Sequence, residues 1–168
     1  FNGTVACWDT GSVATTQNMF LGAAAFNQAI GVWDMSSNAH VGGMFYNAGA
    51  AAFDQNVGGW NIGQVANGTN FMGGNSMSTA NYSALLIGWQ GQTHQSSVVF
   101  KGGGSTYSAG AATTARAALV TDGWTITDGG IEVGEGQWLA TERDVEIITS
   151  SRTDAVNRAF VLGYEVPE

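Results

Sequence analysis

The chain has 168 residues, enough for one domain with a small appendage, and 44% of them are hydrophobic, enough to bury a core. Charge is scarce and one-sided: 11% of residues are charged, the net charge is −8, and residues 1–100 hold only Asp9, Asp34 and Asp54, with no Lys or Arg. Such a surface excludes nucleic acid and anionic membranes as partners, and no apolar run approaches the ~18 residues of a bilayer span.

In chain order, the first feature is a repeat. FNGTVACWDTGSV from Phe1, FNQAIGVWDMSSN from Phe26 and FDQNVGGWNIGQV from Phe53 align, with their first residues 25 and then 27 apart. Val5, Ile30 and Val57 share one offset, Trp8, Trp33 and Trp60 a second, and Thr10, Met35 and Ile62 a third. The pairs Met19–Phe20, Met44–Phe45 and Phe71–Met72 follow at matching places, and the two extra residues of the second unit fall within Tyr46–Ala52. The Trp-x-Φ step has the period of two of a short strand, and the longer steps carry the chain round to the next unit. One unit cannot bury its own apolar side, so neighbours must stack. The reading is an α/β fold: a leucine-rich-repeat-like solenoid of short parallel strands with the three Trp residues as a buried column. Asn27–Gln28 and Asp54–Gln55 are read as corner residues whose side chains satisfy backbone groups. Phe1 opens a unit in mid-pattern, so more chain is expected upstream.

After the three repeats of 1–75, residues 76–130 are expected to cap the array as strand–helix–strand. Tyr82, Leu85, Leu86 and Trp89 mark one face of a helix, Val98–Phe100 a strand, Ser108 the cap of a helix from Ala109 to about Thr121, and Trp124–Thr127 a last strand. Arg116 is placed on the exposed side of that second helix. Residues 131–168 carry most of the charge and are expected to form a small β-rich tail with strands at Val145–Thr149 and Ala159–Val166, a short helix over Thr153–Phe160 being the competing reading. The tail is a candidate for self-association or docking, because a lone hairpin is marginal in water.

Chemistry is hard to find. No G-x-S-x-G elbow, phosphate loop, H-E-x-x-H pair or calcium loop occurs, so no catalytic residue, metal or cofactor is expected and the chain is read as a non-enzyme. Cys7 reads as a small buried hydrophobe, and His40 and His94 as solvated loop residues. Asp9 and Asp34 on adjacent strands would share charge and raise one pKa, but a row of like residues is an ordinary product of repetition. The better candidate is ligand binding: Asp9, Asp34 and Asn61 follow the Trp of each unit and point away from the core, beside Gly11, Ser36 and Gly63. Small neighbours leave room for a sugar or a cation against those acceptors.

Phe26-Asn-Gln-Ala-Ile-Gly-Val-Trp-Asp with Met44-Phe-Tyr-Asn-Ala resembles the bacterial surface-protein repeat of about 26 residues found in BspA-like leucine-rich-repeat proteins and Mycoplasma lipoproteins. Ser78 to Trp89, with Ala117 to Gly130, resembles the usual ending of such arrays, so the resemblance covers residues 1–130. It implies an extracellular, non-enzymatic adhesion module at a cell surface, with a glycan or protein of a host or neighbouring cell as partner. Similar arrays occur in viral fibres, so the alternative is a virion or filament component assembled through 131–168. Asn38 stands where the pattern has an apolar residue, Thr16 where Met is frequent, and Asn61 where Asp follows Trp.

Overall fold

The computed structural model describes residues 1–46 and 53–133. The chain divides into Phe1–Glu132 and Val133–Glu168, and the first unit holds every described residue but one. The expected tail strands lie outside the described residues.

Regular structure comes late. The elements are β1 (Asn67–Gly68), α1 (Thr79–Gln90), β2 (Val99–Lys101), α2 (Ala111–Thr121) and β3 (Thr125–Thr127). The strands form one parallel sheet in the order β1-β2-β3, with Asn67 opposite Val99 and Val99 opposite Thr125. Two helices and three strands of two or three residues are not a leucine-rich-repeat-like solenoid of short parallel strands, and that expectation is corrected. The cause lies in the Trp-x-Φ segments, which turn instead of extending. Trp8 N–H donates to Val5 O at 3.1 Å, Trp33 to Ile30 at 3.1 Å and Trp60 to Val57 at 3.2 Å, each closing a turn just before the step read as strand. Neighbouring repeats meet instead through single parallel bridges, Thr15 to His40 and His40 to Asn67, and through further backbone bonds beyond them, among them Asn18 N–H to Gly42 O, Phe20 N–H to Met44 O and Phe45 N–H to Phe71 O.

Side chains add to these backbone bonds between units. Trp33 Nε1 donates to Val5 O at 3.1 Å, Trp60 Nε1 to Ile30 O at 2.9 Å, and Trp89 Nε1, from α1, to Val57 O at 3.0 Å. Phe1 stacks on Phe26 with centroids 6.1 Å apart, and Phe26 on Phe53 at 6.0 Å. The Asn2 carboxamide oxygen accepts from Asn27 N–H, Asn27 from Asp54 N–H, and Asp54 from Ser78 N–H, at 3.1, 3.0 and 2.8 Å. The Gln28 and Gln55 amides each donate to the Asn2 and Asn27 carboxamide oxygens at 2.8 Å and to the Asn2 and Asn27 backbone carbonyls at 3.2 Å, so these pairs do satisfy backbone groups of the unit before.

The Trp column is only partly buried. Trp33 and Trp60 are inside, whereas Trp8 is 48% exposed, because its outer side meets no other described unit. Cys7, beside it, is exposed as well and is not a core residue. Among the buried polar residues of the repeats, Asn38 donates to Thr16 Oγ1 at 3.3 Å, so the two departures from the apolar pattern partner one another.

Helix α1 follows its expected face, with Tyr82, Leu85, Leu86 and Trp89 all fully buried and Ser78 as N-cap. It packs against α2, which buries Ala112, Ala115 and Leu119. Helix α2 starts two residues later than expected and is not capped by Ser108, whose N–H is taken by Ser83 Oγ of α1 at 2.9 Å. Arg116 is not free in solvent. Its Nε donates to Asp128 Oδ2 at 2.8 Å, and the Asp128 side chain is 2% exposed. Among the described residues no helix is long and apolar enough to cross a membrane.

Candidate functional site

Asp9, Asp34 and Asn61 are all exposed, as expected, but on turns instead of strands. Each folds its side chain onto the backbone two residues on: Asp9 Oδ1 accepts from Gly11 N–H at 3.3 Å, Asp34 Oδ1 from Ser36 at 2.9 Å, Asn61 Oδ1 from Gly63 at 3.1 Å. The type of residue explains this, since Asx side chains stabilise turns in this way. Asp9 and Asp34 do come together. A Cβ placed on Gly11 would lie 3.1 Å from Asp34 Oδ2 and 3.7 Å from Asp9 Oδ1, so the glycine separates the two carboxylates. Asn61 turns to its own Gly63. The Asp34 carboxyl is held below the usual carboxylate range by the Ser36 hydroxyl and N–H, the opposite of the rise expected from a shared charge.

Neither histidine joins this row. His40 is exposed and bridges Thr15 and Asn67 through its backbone. His94 is less solvated than expected, with its side chain 11% exposed, its Nε2 3.2 Å from Asp122 and its ring edge-on to Trp124. No group of three or more His, Cys, Asp or Glu able to hold a metal occurs among the described residues.

The described charges do meet once in the interior. Asp128 accepts from Tyr82 Oη at 2.8 Å, from Arg116 Nε at 2.8 Å and from Gly130 N–H at 3.1 Å. Burial first, then the neighbouring carboxylate, push the Tyr82 phenol far above its ordinary value. Asp128 strengthens the protonated form of Arg116, which lies 5.5 Å over the Tyr107 ring. The cluster ties α1, α2 and the end of β3 together, and its polar atoms face one another.

A second outward feature escaped the sequence reading. Positions 17, 42 and 69 are equivalent in the three units, and so are 18, 43 and 70. The outer units carry Gln17–Asn18 and Thr69–Asn70, while the middle one has Gly42–Gly43. Asn18, Gly43 and Asn70 share a left-handed backbone, with φ of 57°, 63° and 57°, a conformation that Asn and Gly tolerate best. A groove of about 320 Å³ runs between the flanking pairs and over the two glycines, with Asn67 also on its wall and Tyr46 at its edge. The signal in the sequence is the polar offset: Gly42–Gly43 stands where the neighbouring units have Gln17–Asn18 and Thr69–Asn70.

Residues 1–85 match the family described as Mycoplasma protein of unknown function, DUF285, and the chain belongs to that family. No curated protein sequence and no solved structure matches it.

Proposed function

We propose that this member of a Mycoplasma family of unknown function is a non-enzymatic surface module that binds glycans or a protein of a neighbouring or host cell. What supports the reading is register. Equivalent side chains of successive units are held at fixed spacing by the Trp-to-carbonyl bonds, the Phe stack and the Asn–Gln ladder, while the residues between those slots face outward. A rigid core that displays rows of polar side chains can meet an extended ligand at several points without reordering, which keeps the entropic cost of binding low. The near absence of charge from residues 1–100 favours hydroxyl-rich or neutral polar surfaces over phosphate or acidic ones.

The test uses the full chain, labelled and incubated with intact cells before and after treatment with glycosidases or with protease. Saturable binding that falls after either treatment supports the proposal and tells the two ligand classes apart. Absence of saturable binding to any cell type refutes it.

A further inference from the structure

The Gly42–Gly43 groove has the chemistry of a small-ligand site, and it lies apart from the Asp9–Asp34 row. Every described side chain that lines it is uncharged, so it offers no counter-ion to a carboxylate, a phosphate or a metal cation. What it offers is amides. Gln17, Asn18 and Asn70 make no side-chain hydrogen bond among the described residues, and Asn67 spends only its oxygen, accepting from Thr69 N–H at 2.8 Å. Each free carboxamide presents a donor and an acceptor side by side. That pairing matches two adjacent ring hydroxyls, each of which both donates and accepts.

The spacing fits as well. Asn18 and Asn70 belong to units two rungs apart on the Thr15–His40–Asn67 bridges, or about 10 Å at the spacing of a parallel ladder. The floor between them is Gly42 and Gly43, both buried, with the Asn18 and Asn67 side chains packed close over them. A side chain at Gly43 would collide with Asn18 Oδ1, and one at Gly42 would press on Thr69 O at 3.1 Å. Tyr46 lines the groove and is 39% exposed, and its ring sits close over Gly73, where a Cβ would stand 2.6 Å from it, so glycine there leaves room for the ring. A half-exposed aromatic ring beside free amides is suited to the apolar C–H face of a sugar ring together with its hydroxyl rim.

We infer that this groove binds a neutral pyranose unit of a glycan, stacked on Tyr46 and hydrogen-bonded by Asn18 and Asn70. The inference deepens the proposed function and rests on its glycan arm. The size of the groove sits at the lower end of known ligand pockets and suits one or two sugar rings.

The experiment titrates the full chain with maltose, cellobiose, lactose and chitobiose, and with sialyllactose as the charged comparison, following the side-chain amide resonances of Asn and Gln by NMR. At least one neutral disaccharide should shift those of Asn18 and Asn70, and sialyllactose should bind no better than lactose. Tyr46→Ala should weaken binding about tenfold or more, and Asn70→Gly, which keeps the left-handed backbone, about tenfold for a lost pair of hydrogen bonds. Asn18→Gly serves as a second variant of the same design if Tyr46→Ala lowers the melting temperature. Asp34→Asn should leave the affinity unchanged. Three outcomes overturn the inference: no neutral disaccharide binds, the groove variants bind like the unaltered chain, or Asp34→Asn abolishes binding while Tyr46→Ala does not. The last moves the ligand to the Asp9–Asp34 row and leaves the binding-module reading standing. Saturable, protease-sensitive cell binding without any sugar binding separates the two failures in the same way.

Discussion

Replacing Trp60 by Phe should cost about 2 kcal/mol of stability, while the same change at Trp8 should cost less than about 0.5, although the two positions are equivalent in the repeat. Trp60 is fully buried, and its indole N–H donates to Ile30 O at 2.9 Å. Losing that bond removes about 1 kcal/mol net. The larger penalty of an orphaned carbonyl does not apply, because Ile30 O still accepts from Trp33 N–H at 3.1 Å. The smaller ring leaves roughly 40 Å³ unfilled, which at about 24 cal/mol per Å³ adds about 1 kcal/mol. Trp8 is 48% exposed, and its indole N–H has no acceptor among the described residues, so Phe there gives up little. Urea denaturation followed by far-ultraviolet circular dichroism, which does not depend on the altered fluorophore, measures both. Equal losses at the two sites, or a loss below about 0.5 kcal/mol at Trp60, would refute the view that the Trp-to-carbonyl bonds join the units.

Thr10 occupies the slot held by Met35 and Ile62, and its hydroxyl is buried with no hydrogen-bond partner, so Thr10→Val should stabilise the chain by about 1 kcal/mol; a lower denaturation midpoint would contradict this. Asp128→Ala strands Arg116 and Tyr82 together and should cost about 3 kcal/mol, the low end for a broken buried pair because the Arg116 side chain is 24% exposed; a near-neutral result in the same denaturation assay would show that the cluster holds nothing. Burial works against the Asp54 charge, yet the Asn81 amide and Ser78 outweigh it and lower its pKa. Its contribution is therefore present above the unfolded value and is lost as the pH falls through the folded one, below about pH 4. Asp54→Asn keeps an oxygen to accept from Ser78 N–H, as the Asn27 carboxamide accepts from Asp54 N–H in the unit before, so melting curves should change little at neutral pH and lose part of their acid sensitivity; an unaltered acid profile would remove Asp54 from that role.

The sequence was most legible where one face of an element is apolar at helical spacing. Tyr82, Leu85, Leu86 and Trp89 marked α1 correctly, and β2 and β3 fall within one residue of their expected places. It misled where a period of two ran for only three residues. Trp-x-Φ is equally compatible with a strand and with the exit of a turn, and only the N–H of each Trp returning to the residue three before it decides the matter. Arg116 looked free because its partner, Asp128, lies twelve residues on, beyond the end of α2, where no local spacing points to it. Asp9, Asp34 and Asn61 were correctly placed outward, but their commitment to their own turns depends on backbone geometry that residue type alone does not specify. The groove went unread because attention to what repeats hides the position where one repeat omits its side chains.

The buried pair of Asn38 and Thr16 bears on how such a chain avoids folding wrongly. Units this alike in their Phe and Trp slots could exchange neighbours, within one molecule or between two, with little loss of apolar contact. Asn38 is fully buried, its carboxamide oxygen taken by His40 N–H at 3.1 Å and its amide directed to Thr16. The position equivalent to Thr16 is Val41 in the second unit and Gly68 in the third, and neither side chain can accept a hydrogen bond. A slipped pairing would leave the Asn38 amide buried and unanswered, a penalty of about 1–3 kcal/mol that the correct partner avoids. The pair thus acts as a key between the first two units, favouring the native neighbour over domain-swapped or misregistered alternatives where the apolar pattern alone would barely discriminate.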